Sequence, residues 1–585
     1  MEINKAQERV IEIEREIASL PAGSITTKRV KNGTYFYHRI NVNGKRKETY
    51  VDPETAAELK ELINRRKTLE KELKALRPYS FRTASEGMYV REGANLTSLY
   101  NTDSRASEFH TYIRFGDALK KYAAPVAAYE KRDCIDDLKK YIYDESIEKV
   151  MILYGLRRTG KTTLIRQVIA DMDEDDLRKT IFIQVKSGDT LADVNEDLRK
   201  LETAGYKYVF IDEVTLMKDF IEGAALFSDI FAASGMKIVL SGTDSLGFVF
   251  SEDEQLYDRC VMIHTTYIPY REFERVLGIK GIDEYIRFGG TMSLSGIDYN
   301  EDSLFANSTR ANEYIDSAIA KNIQHSLQYY QNGGHFRNLR ELYDKNELTS
   351  AINRIIEDMN HRFTVDVLDR IDVEAVTNSL KAALEILNIE EQKIAINENH
   401  AVEIREYLKL LDLIMSIDIR HIPNSGNKGS VEVITQPGIR YVQAEELIES
   451  IVSDSVFNEL DIVERNAVLE RIRSEIMGRM MEEIILLETR VANPKMQVFK
   501  LQFAVGEFDM VVFDPQNVSC KIYEIKHSAE AAYEQTRHLT DAEKCAETER
   551  NFGRITGKYV IYRGEHKLEN GIEYLNVEEY LKQPV

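Results

Sequence analysis

The stretch GLRRTGKTT, from Gly155 to Thr163, has the spacing of a loop that holds phosphate. Gly155 and Gly160 let the backbone turn so that N–H groups at a helix start face an anion. Lys161 is placed to reach the β- and γ-phosphates of a nucleotide and Thr162 to ligate Mg²⁺, with Thr163 next in the same helical turn. The apolar run KVMILYG before the loop and LIRQVI after it supply the strand and helix this chemistry needs. A second buried-strand pattern, YKYVFIDE, ends in Asp212 and Glu213. Asp212 suits Mg²⁺ held through water, and Glu213 suits a general base on the attacking water. That pairing points to hydrolysis rather than transfer to a bound acceptor. A third strand, MKIVLSGTDS, ends where Ser241 or Thr243 could sense the γ-phosphate.

Charge reappears far downstream in GEFDMVVFDPQNVSCKIYEIKHS, Gly506 to Ser528. Alternate residues of a strand share a face, so Glu524 and Lys526 point together. If PQNV forms a four-residue loop, Asp514 opposes Ser519 and Asp509 opposes Glu524, with Cβ atoms about 5 Å apart. Carboxylates that close repel unless a cation lies between them, and Mg²⁺ accepts such oxygen ligands. A slip of one residue would put the two acids on opposite faces. Beside that metal, Lys526 could orient or activate water or stabilise a pentacovalent phosphate. Alone, a Glu-x-Lys in a strand is an ordinary surface pair.

The elements that must position these groups are legible in outline. The runs KVMILYG, TIFIQVK, YKYVFIDE, MKIVLSGT and CVMIHTT alternate with helical stretches, the pattern of an α/β domain. CIDDLKKYIYDESIEK is a helix leading into that domain. Past about residue 300 the chain reads as helical to about 415, and strand character dominates 495–526. EIMGRMMEEIILLETR reads as an amphipathic helix.

Taken together, the nucleotide motifs resemble those of bacterial and archaeal P-loop ATPases of the AAA-like superclass that carry a C-terminal PD-(D/E)xK nuclease-like domain. LYDRCVMIHTTYIPYREFERVLG and EYIRFGGTM are similar to that family's Arg-before-strand and Tyr-x-Arg-aromatic-Gly-Gly segments, although GTMS lacks the proline expected after the glycines. The resemblance implies that Arg259 completes a nucleotide site, in cis or from a neighbouring subunit. It implies a winged helix in AVEIREYLKLLDLIMSIDIRHI, with Arg420 and His421 at the wing. It also implies a helix acid at Glu482, with Glu483 as the fallback, and a glutamine at Gln535 near the same site. The expected architecture is a multidomain α/β chain. A basic β-meander flanked by helices (1–80) precedes a parallel-sheet ATPase domain of ASCE type with its lead-in (81–300). A helical region with a winged helix (301–430) and a restriction-endonuclease-like α/β domain (431–585) follow.

The N-terminal part rests on composition. Residues 1–20 and 54–77 have helical periodicity and could pair as a short coiled coil. Between them, Lys31-Asn32-Gly33 and Asn43-Gly44 are hairpin signals that predict a three-stranded meander. Lys28, Arg29, Lys31, Arg39, Lys45, Arg46 and Lys47, interleaved with Tyr35, Tyr37 and Tyr50, suit backbone contact plus stacking on nucleic acid. The other reading is a solvated hairpin whose tyrosines pack on the helices.

The bulk numbers bound the rest. Net charge of −21 over 585 residues argues against a surface coated in nucleic acid, leaving local patches to do the binding. The first residues lack the apolar core of a signal peptide, no run is long enough to span a membrane, and the four cysteines lack metal-site spacing. A cytoplasmic protein with no membrane partner is expected. The leading reading is an ATP- and Mg²⁺-dependent ATPase coupled to a metal-dependent nuclease, acting on DNA rather than RNA by family analogy. Homo-oligomerisation is left open. The alternatives are a nucleotide-switched binding protein whose nuclease-like domain is inactive, and a mechanical ATPase acting on protein assemblies.

Overall fold

The computed structural model describes residues 24–30, 33–42, 45–53, parts of 55–69, 108–243 except 218, 256–291 except 257 and 266, parts of 311–356, 396–423, 429–452, 455–530 and 536–583. Two compact units, 1–95 and 96–585, divide the chain.

In the first unit, β1 (Ser24–Val30), β2 (Gly33–Val42) and β3 (Lys45–Val51) form the expected antiparallel meander. Val30 pairs with Gly33 and Val42 with Lys45, so two residues join the strands at each turn. The register puts Lys28, Tyr35, Tyr37, Arg39, Arg46 and Tyr50 on one face and Arg29, Lys45 and Lys47 on the other. Tyr37 and Tyr50 meet edge to face at 5.9 Å, with Tyr50 exposed. Residues from 53 onward are helical where described, whereas Lys31, the expected helix 1–20 and hence any coiled coil lie outside the described residues.

The second unit holds two sheets. The first consists of β4 (Tyr112–Arg114), β5 (Val150–Tyr154), β6 (Thr180–Gln184), β7 (Tyr208–Asp212), β8 (Lys237–Gly242) and β9 (Cys260–His264), in the order β4-β6-β7-β8-β5-β9. All pairs are parallel except β4 with β6. Each predicted apolar run is one of these strands. β5, β7 and β8 are buried along their whole length because helices cover both faces, which is why they read as unbroken apolar runs. One face packs on the helix Leu191–Thr203 and on Phe220, Phe227 and Phe231. The other packs on the helices Gly116–Ala123, Ile135–Tyr143 and Lys161–Asp171.

The second sheet is mixed: β10 (Ile414–Ile422), β11 (Gly429–Ile434), β12 (Gln497–Phe503), β13 (Glu507–Asp514), β14 (Ser519–Ile525), β15 (Arg554–Tyr562), β16 (Lys567–Glu569) and β17 (Ile572–Asn576). Its order is β11-β10-β12-β13-β14-β15-β17-β16. The long helix Ile462–Ala492 covers one face and the helix Ala542–Phe552 lies toward the other. Asp461 starts the long helix by accepting the Val463 and Glu464 amides at 2.7 and 2.9 Å.

The predicted wing joins this sheet. β10 pairs antiparallel with β11 and parallel with β12, so the hairpin spans the expected boundary at residue 430. Arg420 accordingly lies over the Phe499 ring at 4.0 Å and donates to Gln497 at 2.8 Å, packed on β12 rather than projecting from a wing tip. Helices also bridge the two sheets. Tyr270–Leu277 and Ile282–Phe288, which follow β9, share one apolar core with the long helix.

Candidate functional sites

The phosphate loop leaves β5 after Tyr154 and enters the helix Lys161–Asp171 at Gly160, which has φ 91°. Gly155, at φ 141°, has no room for a side chain: a Cβ would meet the Thr265 carbonyl, with the Thr265 hydroxyl at 2.7 Å. Lys161 is buried and donates to the Gly155 and Leu156 carbonyls at 2.8 and 2.9 Å. Burial pulls its pKa down to about 8 against the opposing pull of Glu213 and Asp212.

β8 lies between β5 and β7, which brings Ser241 and Thr243 alongside Asp212 and Glu213. Asp212 accepts the Thr162 hydroxyl at 3.0 Å with one oxygen and the Ser241 hydroxyl with the other. Thr243 donates to Glu213 at 3.2 Å. Glu213 sits at φ 58°, and its pKa is raised by burial and then by the Asp212 charge. The donor set fits a Mg-nucleotide, with Thr162 and Asp212 supplying hard oxygens and Lys161 a cation for phosphate. Thr163 follows in the same helix, half-buried.

Arg259 is not in this pocket. Val150 at the start of β5 pairs with Cys260 and its amide donates to the Arg259 carbonyl at 3.1 Å, whereas the phosphate loop leaves the far end of β5. Parallel pairing therefore places Arg259 at the opposite edge of the sheet, where its guanidinium meets Asp229 at 2.8 Å. The cis role expected for it is corrected.

Several contacts had no sequence signal. Arg132, buried, donates to the Thr159 carbonyl in the phosphate loop at 2.7 Å, to Glu272 at 2.7 Å and to the Tyr267 carbonyl at 3.3 Å. Tyr314 donates to the Arg157 carbonyl at 3.1 Å and Asn322 to the Thr243 carbonyl at 3.1 Å, so the helical region touches both loops of the nucleotide site.

The downstream cluster forms on β13 and β14. Asp514 pairs with Ser519 and Met510 with Tyr523, which puts Asp509 level with Glu524 one step on. Both acids are buried. Lys526 lies 3.0 Å from each. Burial alone would raise the Asp509 pKa, but Lys526 and Lys500 outweigh it and hold the carboxyl below its ordinary value. Glu524 is pushed up to about 9, by burial first and then by Asp509, and its Oε1 is buried without a hydrogen-bond partner. Glu482, from the long helix, is bound by Lys500, which also lies 3.9 Å from Glu507. Nothing in VFKLQF marks Lys500 for this position. The fallback acid, Glu483, pairs instead with buried Arg440 at 2.9 Å. Gln535 lies outside the described residues.

Residues 147–274 match the model of the AAA domain family, and residues 3–61 match a domain of unknown function, DUF6788. This middle segment is thus a P-loop ATPase domain of the AAA type, and ATP with Mg²⁺ is its ligand class. No curated protein matches the sequence. Among solved structures, the chain is similar to C. elegans PCH-2 at 17% identity, over 28% of this chain and 46% of that one, with a TM-score of 0.17. S. cerevisiae Hsp104 in a complex with casein matches at 13% identity over 48% and 52%, TM-score 0.23. The Aeropyrum pernix Orc1 protein in complex with DNA matches at 13% over 58% and 98%, TM-score 0.22. At these scores none of the three bears on this chain's function. The second sheet lies outside both matched segments. Among the described residues, no helix is long and apolar enough to cross a membrane, and no group of three or more His, Cys, Asp or Glu is set to hold a metal.

Proposed function

We propose that this protein hydrolyses ATP in its AAA domain and cleaves a nucleic-acid backbone, DNA in preference to RNA, at a Mg²⁺-dependent centre of the PD-(D/E)xK type in its C-terminal sheet. One observation carries the second half: two buried carboxylates on neighbouring strands flank one lysine, and one oxygen of Glu524 has no partner. An orphaned buried carboxylate oxygen is costly unless a cation or donor completes it. The charges agree. Among the described residues the cations paired with Glu482, Glu507, Asp509 and Glu524 are Lys500 and Lys526, so ionising all four acids leaves room for one divalent cation.

Asp509 and Glu524 would hold the Mg²⁺. When bound, the ion supplies Lewis-acid stabilisation of the charge that builds on the attacked phosphate. Lys526 remains a cation at neutral pH because Asp509 and Glu524 outweigh its burial, and it offers N–H donors to a phosphate oxygen. Lys500 fixes Glu482 at the edge of the centre. In the ATPase site, Glu213 accepts the proton of the attacking water while Asp212 holds the Thr162 and Ser241 hydroxyls in place. Arg259 acts from a neighbouring copy in a homo-oligomer. The meander face carrying Lys28, Tyr35, Tyr37, Arg39 and Arg46 grips nucleic acid.

A second reading is a nucleotide-switched binding protein with an inactive nuclease-like domain. It is favoured by Lys526 itself, whose ammonium lies 3.0 Å from both carboxylates and already occupies the space between them. Incubating the protein with single- and double-stranded DNA and with RNA, in Mg²⁺ or Mn²⁺, decides between them. Cutting by the wild type that Lys526→Ala abolishes supports the nuclease. No cutting of any substrate, with ATP turnover intact, supports the switch.

A further inference from the structure

Next to the carboxylate pair lies a cationic cluster that neither chemistry uses. Lys544 Nζ is 2.6 Å from His538 Nδ1, and Arg537 Nε is 3.2 Å from His538 Nε2. Lysine and arginine are donors only, while a neutral imidazole has a single acceptor nitrogen. One of the two contacts is therefore donor against donor, and protonating the ring would make both so. Neither Arg537 nor Lys544 forms an ion pair with an acid among the described residues. Asp541 stands nearby, but its carboxylate caps the following helix by accepting the Glu543 and Lys544 amides at 3.0 and 3.1 Å. Burial, then Lys544 and Arg537, lower the His538 pKa, as expected of a ring between two cations.

The position of the cluster is informative. A Cβ on Gly506, in the turn that leads into β13 and Asp509, would strike the His538 ring and come within 2.9 Å of Lys544 Nζ. His538 also feels the charges of Asp509 and Lys526. Two cations and an imidazole thus converge beside the reactive carboxylates, and among the described residues no acid forms an ion pair with Arg537 or Lys544, Asp541 acting on the Lys544 and His538 side chains only through its charge.

We propose that Arg537, His538 and Lys544 form an anion site for a backbone phosphate of the nucleic acid, next to the phosphate that is attacked. Arg537 and Lys544 donate to the phosphate oxygens, and His538, carrying its proton toward the anion, completes the ring of donors. This rests on the nuclease reading for the identity of the ligand. The cluster positions the strand and takes no part in bond cleavage.

The test is binding of end-labelled single-stranded and duplex DNA by the full chain in EDTA across a range of salt. Arg537→Ala/Lys544→Ala is compared with wild type, with ATP turnover as the control for folding. We expect Kd to rise about tenfold and the slope of log K against log salt to flatten by roughly 1 to 2, since each phosphate contact contributes about 0.9. Unchanged Kd and slope in a variant that still turns over ATP would overturn the site. Should the double variant fail to fold, the exposed single change Arg537→Ala is expected to give about half of the flattening, and an unchanged slope there overturns the site equally. Cleavage assays on the same samples separate the two ideas. Cutting by wild type with unaltered binding by the variant removes the anion site and keeps the nuclease. A flattened slope with no cutting by any form removes the nuclease and keeps the site.

Discussion

Glu488 and Tyr270, 218 residues apart in sequence, are joined by a hydrogen bond of 2.7 Å from the Tyr270 amide to the Glu488 carboxylate. The same oxygen accepts the Tyr285 hydroxyl at 3.0 Å. A single acid on the long helix thereby ties down both helices that follow the ATPase sheet.

The buried Glu488 has its pKa raised to about 7 by burial, with its hydrogen bonds opposing. The folded state therefore binds a proton more tightly than the unfolded chain between about pH 4.5 and 7, and stability falls as pH rises through that window. Glu488→Gln keeps the acceptor and removes the charge. Its Tm is expected to fall less steeply from pH 5 to 7.5 than that of the wild type, by an amount equivalent to up to roughly 3 kcal/mol. Thermal melts at stepped pH check this, and parallel curves would contradict it.

Breaking the Arg132–Glu272 pair is expected to be severe. Arg132→Met leaves a buried carboxylate unpaired and frees the Thr159 carbonyl, costing about 3–5 kcal/mol. Denaturant melts would show it, along with weakened ATP binding, because the phosphate loop loses its brace.

Glu213→Gln should leave ATP binding near wild type and slow turnover about 10²- to 10⁴-fold, the usual contribution of a general base. Lys161→Ala should weaken binding as well. Equal loss of affinity in both variants would argue against the base assignment.

Arg259→Ala should not change ATP affinity in dilute protein, because the residue lies at the far edge of its own sheet. If copies assemble, turnover per subunit in the wild type rises with concentration and the variant loses that rise. A drop in turnover independent of concentration would contradict the trans role.

What could be read in advance follows from how local each signal is. β5, β7 and β8 are continuous apolar runs because helices bury both faces, so their types sufficed. The pairing of Asp514 with Ser519, and hence the level placement of Asp509 and Glu524, was legible because a four-residue loop dictates the register. Contacts spanning long stretches left no local trace. Lys500 meets Glu482 only once β12 packs on the long helix, and Arg132 reaches Glu272 across 140 residues. The hairpin β10–β11 looked like a wing because its parallel pairing with β12 depends on a chain return that passes through the entire long helix.

The central claim is that two separate phosphate chemistries share one chain. The direct measurement follows ATP turnover and Mg²⁺-dependent strand cleavage side by side in the wild type, Lys161→Ala and Lys526→Ala. The account predicts that Lys526→Ala loses cleavage and keeps ATP turnover, while Lys161→Ala loses turnover. Cleavage by Lys526→Ala at the wild-type rate, or the absence of cleavage in every form, would contradict it.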